Sequence, residues 1–398
     1  MVRTPSGGFV RVLHVIPSVA PRYGGPSLAV VEMCRALREG GIETLIATTD
    51  ADGEGRLDVE QGREVSFNNV PAIFFPRQWS EAYKYSKPLA RWLNVHVNDF
   101  DVAHIHAIFS HTSLAAAKAC RKKGVPYVVR PLGTLDPWST RQKRLRKKVF
   151  WHFGVKQMLG GAAAIHYTAL PEQKLAEDSL GLAHGVVIPL GVELDSANGV
   201  EGEGNQVELD ASIGTSPYVL VLSRLHQKKG LEVLLPAFLS LTKRRREFSD
   251  WKLVLAGEGS ADYVRTLQRL VERENGRDRV VFAGWLEGTK KRVALQRASL
   301  LALTSYQENF GLCVVEALAC GVPVIVSPHV NLAPEIEAAG AGWVTPLERN
   351  TLEVTLAEAL HDAEGRARRG AAGRALVQSR FTWSAVAEQL AGLYLSAR

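Results

Sequence analysis

Two carboxylates, Glu308 and Glu316, stand eight residues apart in the run Glu308-Asn309-Phe310-Gly311-Leu312-Cys313-Val314-Val315-Glu316. The apolar stretch 300–304 before them reads as a buried strand, and the run itself opens a short helix that ends before Gly321-Val322-Pro323. Gly311 at the helix start lets backbone approach a ligand closely. The first amides of that helix have no partners inside it, and with the helix dipole they favour an anion such as a phosphate. Glu308 precedes the helix while Glu316 lies more than a turn inside it, so the two face different parts of an extended ligand. Carboxylates accept hydroxyl hydrogens well, which suits one to a sugar and the other to a ribose.

A second segment fits the same ligand. Ser223-Arg224-Leu225-His226-Gln227-Lys228-Lys229-Gly230 leaves a strand and enters a helix at Gly230. Arg224 and Lys229 flank that loop and can both reach a diphosphate, where two fixed cations would stabilise the charge on a departing nucleoside diphosphate. Taken alone, the pair also reads as ordinary surface cations at a strand–helix turn. The acidic run makes the phosphate reading the stronger one.

These residues need a frame, and the hydrophobic pattern supplies it. Short apolar runs alternate with amphipathic segments throughout, the pattern of an α/β protein with parallel sheets. The first half has predicted strands at 10–16, 42–48, 72–75, 102–106, 127–130, 163–166 and 186–188, and helices at 27–38, 80–94 and 113–122. Residues 195–217 are rich in Gly, Asn, Asp and Glu and read as a linker or long exposed loop. The alternation restarts with strands at 218–223, 252–256, 280–283, 300–304 and 324–327, then helices after Asn350 and a final one at 384–396. The expected division is therefore a first doubly wound domain at 1–193, a linker at 194–216, a second domain at 217–380, and a C-terminal helix at 381–398 packing back on the first. Two such domains would face a cleft at the C-terminal ends of their strands, where these folds bind ligands.

The chain of 398 residues is 46% hydrophobic and 22% charged, with a net charge of +7. That is the profile of a globular protein, with no apolar run near the roughly 18 residues that span a bilayer. Residues 1–9 lack the apolar core of a secretory signal, so a cytoplasmic protein with reduced thiols at its four cysteines is expected. The charge is uneven: Arg141-Gln142-Lys143-Arg144-Leu145-Arg146-Lys147-Lys148 holds six basic residues in eight. Such a run suits an anionic partner, including the inner face of a membrane, or is simply a solvated helix face. A basic RNA-binding protein is a weak rival, since no aromatic RNA-binding motif accompanies the basic runs.

Three features of the first half could also do chemistry. Tyr23-Gly24-Gly25-Pro26 follows the first strand and opens a helix, so its glycines permit close approach to a phosphate. It is not a GxGxxG fingerprint, and a dinucleotide site is unsupported. His104 and His106 end a strand on one side of it; they read as a metal pair completed by His111, or as two satisfied histidines. Arg130-Pro131-Leu132-Gly133-Thr134-Leu135-Asp136 follows another strand and runs straight toward the basic stretch.

Glu308 with Glu316, followed by Ala317-Leu318-Ala319-Cys320-Gly321-Val322-Pro323-Val324, resembles the signature of retaining glycosyltransferases of family 4. Gly257-Glu258-Gly259 and Phe282-Ala283-Gly284, each after a strand, resemble the nucleoside-binding edges of that family, and the likeness extends over nearly the whole chain. It implies the GT-B fold, two Rossmann-like domains with a nucleotide-sugar bound mainly by the second. It further implies that Glu308 contacts the donor sugar, Glu316 the ribose, and Arg224 and Lys229 the diphosphate. The amides of Phe310, Gly311 and Leu312 would line sugar and phosphates, and Glu258 and Gly284 would lie near the nucleoside. Gly24 and Gly25 would close over donor or acceptor, His106 would lie close to the donor sugar, and Arg130, Thr134 and Asp136, in a segment like those of family members that build surface polysaccharides, would be acceptor-side candidates. No cofactor and no metal are implied, and the acceptor would be a glycan or lipid-linked hydroxyl compound, as in polysaccharide synthesis. Rival enzymes of this architecture are a sugar-nucleotide epimerase and a phosphorylase, the latter carrying lysine-bound pyridoxal. Where many relatives read Pro-Asn-Gly-Val-Asp, this chain has Pro189-Leu190-Gly191-Val192-Glu193.

Overall fold

The computed structural model describes residues 10–135, 151–194 and 213–398. Asp136, the basic run 141–148 and most of the predicted linker lie outside the described residues. The chain separates into two units, 1–191 with 382–398, and 192–381.

In chain order the first unit holds β1 (Arg11–Ser18), α1 (Gly25–Glu39), β2 (Glu43–Thr49), a hairpin of β3 (Ala51–Asp52) and β4 (Gly55–Arg56), β5 (Glu64–Phe67) and β6 (Val70–Phe75). It continues with α2 (Lys87–His96), β7 (Val102–His106), α3 (His111–Lys123), β8 (Tyr127–Arg130), α4 (Lys156–Gly160), β9 (Ala164–Tyr167), α5 (Leu170–Leu180) and β10 (Gly185–Val187). The second unit runs β11 (Tyr218–Leu222), α6 (Leu231–Arg244), β12 (Lys252–Ala256), α7 (Ala261–Arg273), β13 (Val280–Gly284), α8 (Gly288–Arg297) and β14 (Leu300–Leu303). It ends with α9 (Leu312–Ala319), β15 (Val324–Val326), α10 (Ala333–Ala339), β16 (Gly342–Val344), α11 (Arg349–His361) and α12 (Ala363–Arg380). The last helix, α13 (Trp383–Ala397), returns to the first unit and packs on α1.

Each unit is built on one sheet. The first has the order β10-β9-β8-β7-β1-β2-β6-β5, parallel except for β5, and the second β13-β12-β11-β14-β15-β16, parallel throughout. Strands such as Tyr218-Val219-Leu220-Val221-Leu222 are apolar on both faces because helices cover both. In the first sheet Leu13, Val15, Ala103 and Ile105 face α2 and α3, while Ile16 and Ile46 face α1. The order reverses beside β1 in the first sheet and beside β11 in the second. Those are the switch points where such sheets open a crevice at their C-terminal edge.

Several elements differ from the sequence reading. The expected helix 80–94 begins only at Lys87, with Ser86 as its cap accepting the Leu89 N–H at 3.3 Å. Pro88 is the reason, since it fits the first turn of a helix and breaks an interior. The edge strand β5, the hairpin β3–β4 and the short β16 carry too few residues for a pattern to show. Among the described residues no helix is long and apolar enough to cross a membrane.

Candidate functional site

The second unit gathers its candidate residues at the C-terminal edge of its sheet, where backbone bonds tie successive loops together. Leu225 N–H donates to Glu258 C=O at 2.7 Å, and Gly257 N–H to Gly284 C=O at 2.6 Å. Tyr306 N–H donates to Lys228 C=O at 2.8 Å, and the Thr304 hydroxyl to Lys229 C=O at 3.2 Å. Glu308 is clamped through its own backbone: its N–H donates to His329 C=O at 3.0 Å and its C=O accepts from Asn331 at 3.1 Å. The loops after β11, β12, β14 and β15 therefore form one stitched rim, and side chains on it are held by more than their own loop.

On this rim Lys229 and Glu308 form an ion pair, 13% and 21% exposed. Gly230 makes the Lys229 turn possible. Its φ is +64°, and a Cβ there would lie 2.3 Å from Thr304 C=O. Gly311 has φ +80° and starts α9, whose leading amides face out of the helix. Phe310 beside it is buried, its ring edge-on to Phe381 at 6.0 Å. Arg224 and Glu258 are exposed.

Glu316 has a partner that sequence spacing did not reveal. Lys291 of α8 donates to it at 2.6 Å, with Glu316 only 20% exposed. Desolvation raises the Glu316 carboxyl above its usual range and the Lys291 charge pulls it back. The Cys313 thiol lies between the two ion pairs and is pushed up to about 12 by burial. Lys291 was hidden because α8 carries Lys290, Lys291 and Arg292 in sequence, and only the packing shows that Lys291 reaches Glu316.

These are carboxylates and lysines on a glycine-started helix at the open edge of a parallel sheet. Residues 209–376 match the family model described as glycosyl transferases group 1, and residues 24–191 match the glycosyl transferase 4-like domain. Between them the two span most of the chain. The protein belongs to the group 1 glycosyltransferases, of family 4 type. A relative is mannosylfructose-phosphate synthase of Agrobacterium fabrum, 24% identical over 95% of this chain and 87% of that protein. A mannosyltransferase of Corynebacterium glutamicum, described as GDP-mannose-dependent and acting on a monoacylated phosphatidylinositol monomannoside, is 32% identical over 46% of this chain and 48% of that one. Among solved structures, HepE of Anabaena in complex with UDP and glucose superposes with a TM-score of 0.77 at 22% identity, covering 97% of this chain and all of that one. Sucrose-phosphate synthase of Thermosynechococcus elongatus follows at 0.75 and 21% identity, over 97% and 98% of the two chains. The fold of the glycosyltransferase is thus GT-B.

The glycosyltransferase's first unit arranges its candidates differently from the sequence reading. His106 ends β7, fully buried, with its Nε2 3.1 Å from Nδ1 of His14 on β1. His104 pairs in register with His14 and places its Nδ1 2.8 Å from the Tyr394 hydroxyl of α13. His166 on β9 adds a third neighbour, 3.3 Å from His104 and 2.7 Å from the Ile188 carbonyl. Arg130 lies beside His106 in register, 2% exposed, its Nε and Nη1 without hydrogen-bond partners among the described residues. Five polar side chains thus cover one face of the sheet under α13. Arg130 is part of that buried row rather than of an open loop, while Thr134 nearby is half-buried and bonded to Pro131 C=O at 2.6 Å.

His111 does not complete a metal pair. Its Nδ1 accepts from Ser86 N–H at 3.2 Å and its ring sits against Tyr85. Instead one nitrogen each from His14, His104 and His106 come within 4.8 Å of one another. The Arg130 guanidinium, held down to about 10 by burial, opposes a cation among them. Burial first and that charge second lower His14 to about 3; burial likewise dominates at His104 and His106. Contact between His106 and a sugar would need the groups above it to move aside. Ala107, directly after it, is held at φ +69°, a strained conformation for a residue with a Cβ that costs about 1–2 kcal/mol. Gly24, at φ +78°, joins a 3-10 turn at Pro21–Tyr23 to α1, and Gly25 is the first residue of that helix.

Proposed function

We propose that this glycosyltransferase moves a hexose from a nucleoside-diphosphate sugar to a hydroxyl of a glycan or lipid-linked acceptor, with retention of anomeric configuration, in the synthesis of an envelope glycan or polysaccharide. The Lys229–Glu308 pair on the stitched rim carries the reading. It sets a cation and a hydroxyl acceptor side by side, and a sugar diphosphate presents both complements on adjacent atoms. The solved relative that holds UDP and glucose supports a donor of this kind.

In the proposed reaction Lys229 and Arg224 take the two phosphates, and the start of α9 at Gly311 and Leu312 adds amide dipoles. Charge that grows on the leaving diphosphate is then met by groups already in place. Glu308 accepts hydroxyl hydrogens of the sugar, and Glu316, paired with Lys291, those of the ribose. Phe310 fixes the loop through its buried ring, while Glu258 and Gly284 border the nucleoside. Gly24 and Gly25 serve donor or acceptor from the first unit, with Thr134 and Asp136 on the acceptor side. Because fixed cations neutralise the leaving group, the scheme calls for no metal and no cofactor.

Two measurements test this reading. UDP, GDP and ADP are compared by thermal shift; one of them at 100 times its Kd adds about 2.7 kcal/mol of stability, and a flat response to all three would end the proposal. The anomeric proton of the transfer product then reports retention by NMR; an inverted product removes that part alone. The basic run 141–148 adds a third expectation, peripheral attachment to an anionic membrane. Binding to phosphatidylglycerol vesicles should weaken as salt rises, and equal binding to neutral vesicles would count against it.

A further inference from the structure

The loop between β6 and α2 leaves a tryptophan ring in solvent on a rigid mount. Trp79 is 73% exposed, the highest among the large apolar side chains of the described residues. One face lies on Tyr85, with ring centroids 4.7 Å apart and planes within 18° of parallel. Tyr85 in turn rests on His111 at 4.3 Å. The other face of the indole is open.

The mount is not a loose loop tip. Gln78 N–H donates to Tyr85 C=O at 2.9 Å and closes the loop at its base, while the Gln78 side chain accepts from Lys87 N–H at 2.8 Å. Arg77, only 8% exposed, bonds Glu81 at 2.8 Å and the Glu54 and Gly55 carbonyls at 3.2 Å each. Its own N–H donates to Asp50 at 2.7 Å. His111 N–H donates to Tyr83 C=O at 2.9 Å, tying the loop to the start of α3, five residues past His106. Glu81 also accepts from the Tyr23 hydroxyl, joining it to the Tyr23-Gly24-Gly25 turn. The aromatic stack therefore stands at the C-terminal edge of the first sheet, continuous with the loops that carry Gly24, Gly25 and His106.

Exposure of one apolar side chain is ordinary; what sets this ring apart is that Tyr85 and the bonded loop hold it in one orientation, and a fixed aromatic face can serve recognition. The chemistry around it selects the partner. The flat surface is one ring wide, and its exposed chain neighbours, Gln78 and Ser80, are polar. A pyranose matches this: its axial C–H face lies on the indole while equatorial hydroxyls reach the polar rim. A membrane or a protein partner would need a broader apolar patch.

We infer that Trp79, backed by Tyr85 and His111, is a stacking platform for a pyranose ring of the acceptor, which makes the acceptor a saccharide at its reacting end. This rests on the transferase reading above and names its second substrate class.

The test is saturation-transfer NMR on the full chain. The tube holds methyl α- and β-pyranosides of glucose, galactose and mannose together with UDP, GDP and ADP. Ring C–H protons of at least one pyranoside should receive saturation, and the Trp79→Ala variant should lose that signal at least ten-fold while the nucleotide signals stay. Trp79→Phe should keep a measurable part, because a smaller aromatic face remains. Pyranoside signals that persist in Trp79→Ala, or none in the parent protein, overturn the platform. So does a Trp79-dependent loss of binding to phosphatidylcholine–phosphatidylglycerol vesicles, which would make the ring a membrane contact. Absent nucleotide signals in the parent protein would instead remove the transferase reading itself.

Discussion

Replacing Glu308 by alanine is expected to lower the transfer rate by a factor of about 10 to 150, the loss of about 1.5–3 kcal/mol when a charged hydrogen-bond acceptor of the sugar hydroxyls is removed. The backbone bonds of Glu308 to His329 and Asn331 do not depend on its side chain. The ion pair is mostly buried, however, at 13% and 21% exposure, so removing Glu308 strands the Lys229 charge and costs up to about 3–5 kcal/mol of stability. The melting temperature should fall accordingly, and rates are compared well below it. Lys229→Ala should cost a similar factor, acting on the diphosphate rather than the sugar. The two losses should not multiply in the double variant, since residues that share one ligand and one ion pair are coupled. Initial-rate assays on variants shown to be folded decide the matter: full activity in Glu308→Ala removes the assignment. Purely multiplicative losses would show that the pair does not act as a unit.

The second large effect concerns acid stability. His14, His104, His106 and His166 are all buried and neutral, with His14 and His166 lowered from 6.5 to about 3. Unfolded, each would take up a proton near 6.5, so below that pH the unfolded chain binds more protons than the folded one. Stability is then complete above about pH 6.5 and falls as pH drops toward the folded values, by up to about 1.4 kcal/mol per pH unit for each imidazole. Four of them give up to about 5.6 kcal/mol per unit, against a total stability of about 5–15 kcal/mol for an ordinary domain. Glu172 works in the opposite sense, because burial raises its carboxyl in the same unit, but it is one group against four. On that slope the first unit should unfold somewhere between about pH 3.8 and 5.6. Denaturant titrations at pH 7.5, 6.5 and 5.5 measure the slope, and His166→Gln should reduce it by about one proton. Equal stability at the three pH values would show that the cluster is not held neutral.

Both expectations depend on the tertiary structure in different degrees. Glu308 was legible because it sits in a local arrangement, a strand, a glycine and a short helix within a few residues, and such spacing survives any folding of the rest. The imidazole row was not. His14, His104 and His166 lie on separate strands, and only the parallel order β9-β8-β7-β1 brings them together. Sequence reasoning reached for His111, the nearest histidine along the chain, and missed His14, the nearest across the sheet.

The same division holds elsewhere. The alternating apolar runs determined two parallel-sheet units by themselves, because a strand covered on both faces must be apolar along its whole length. The glycines determined where backbone turns back, since few other residues accept those dihedrals. What only the folded chain decided is partnership at a distance: Lys291 brought to Glu316, α13 returning to lay Tyr394 on His104, and Trp79 left facing water. Periodicity records which side of an element is buried. It holds no record of which element comes to lie on that side, and charge pairing and exposure are set by that second fact.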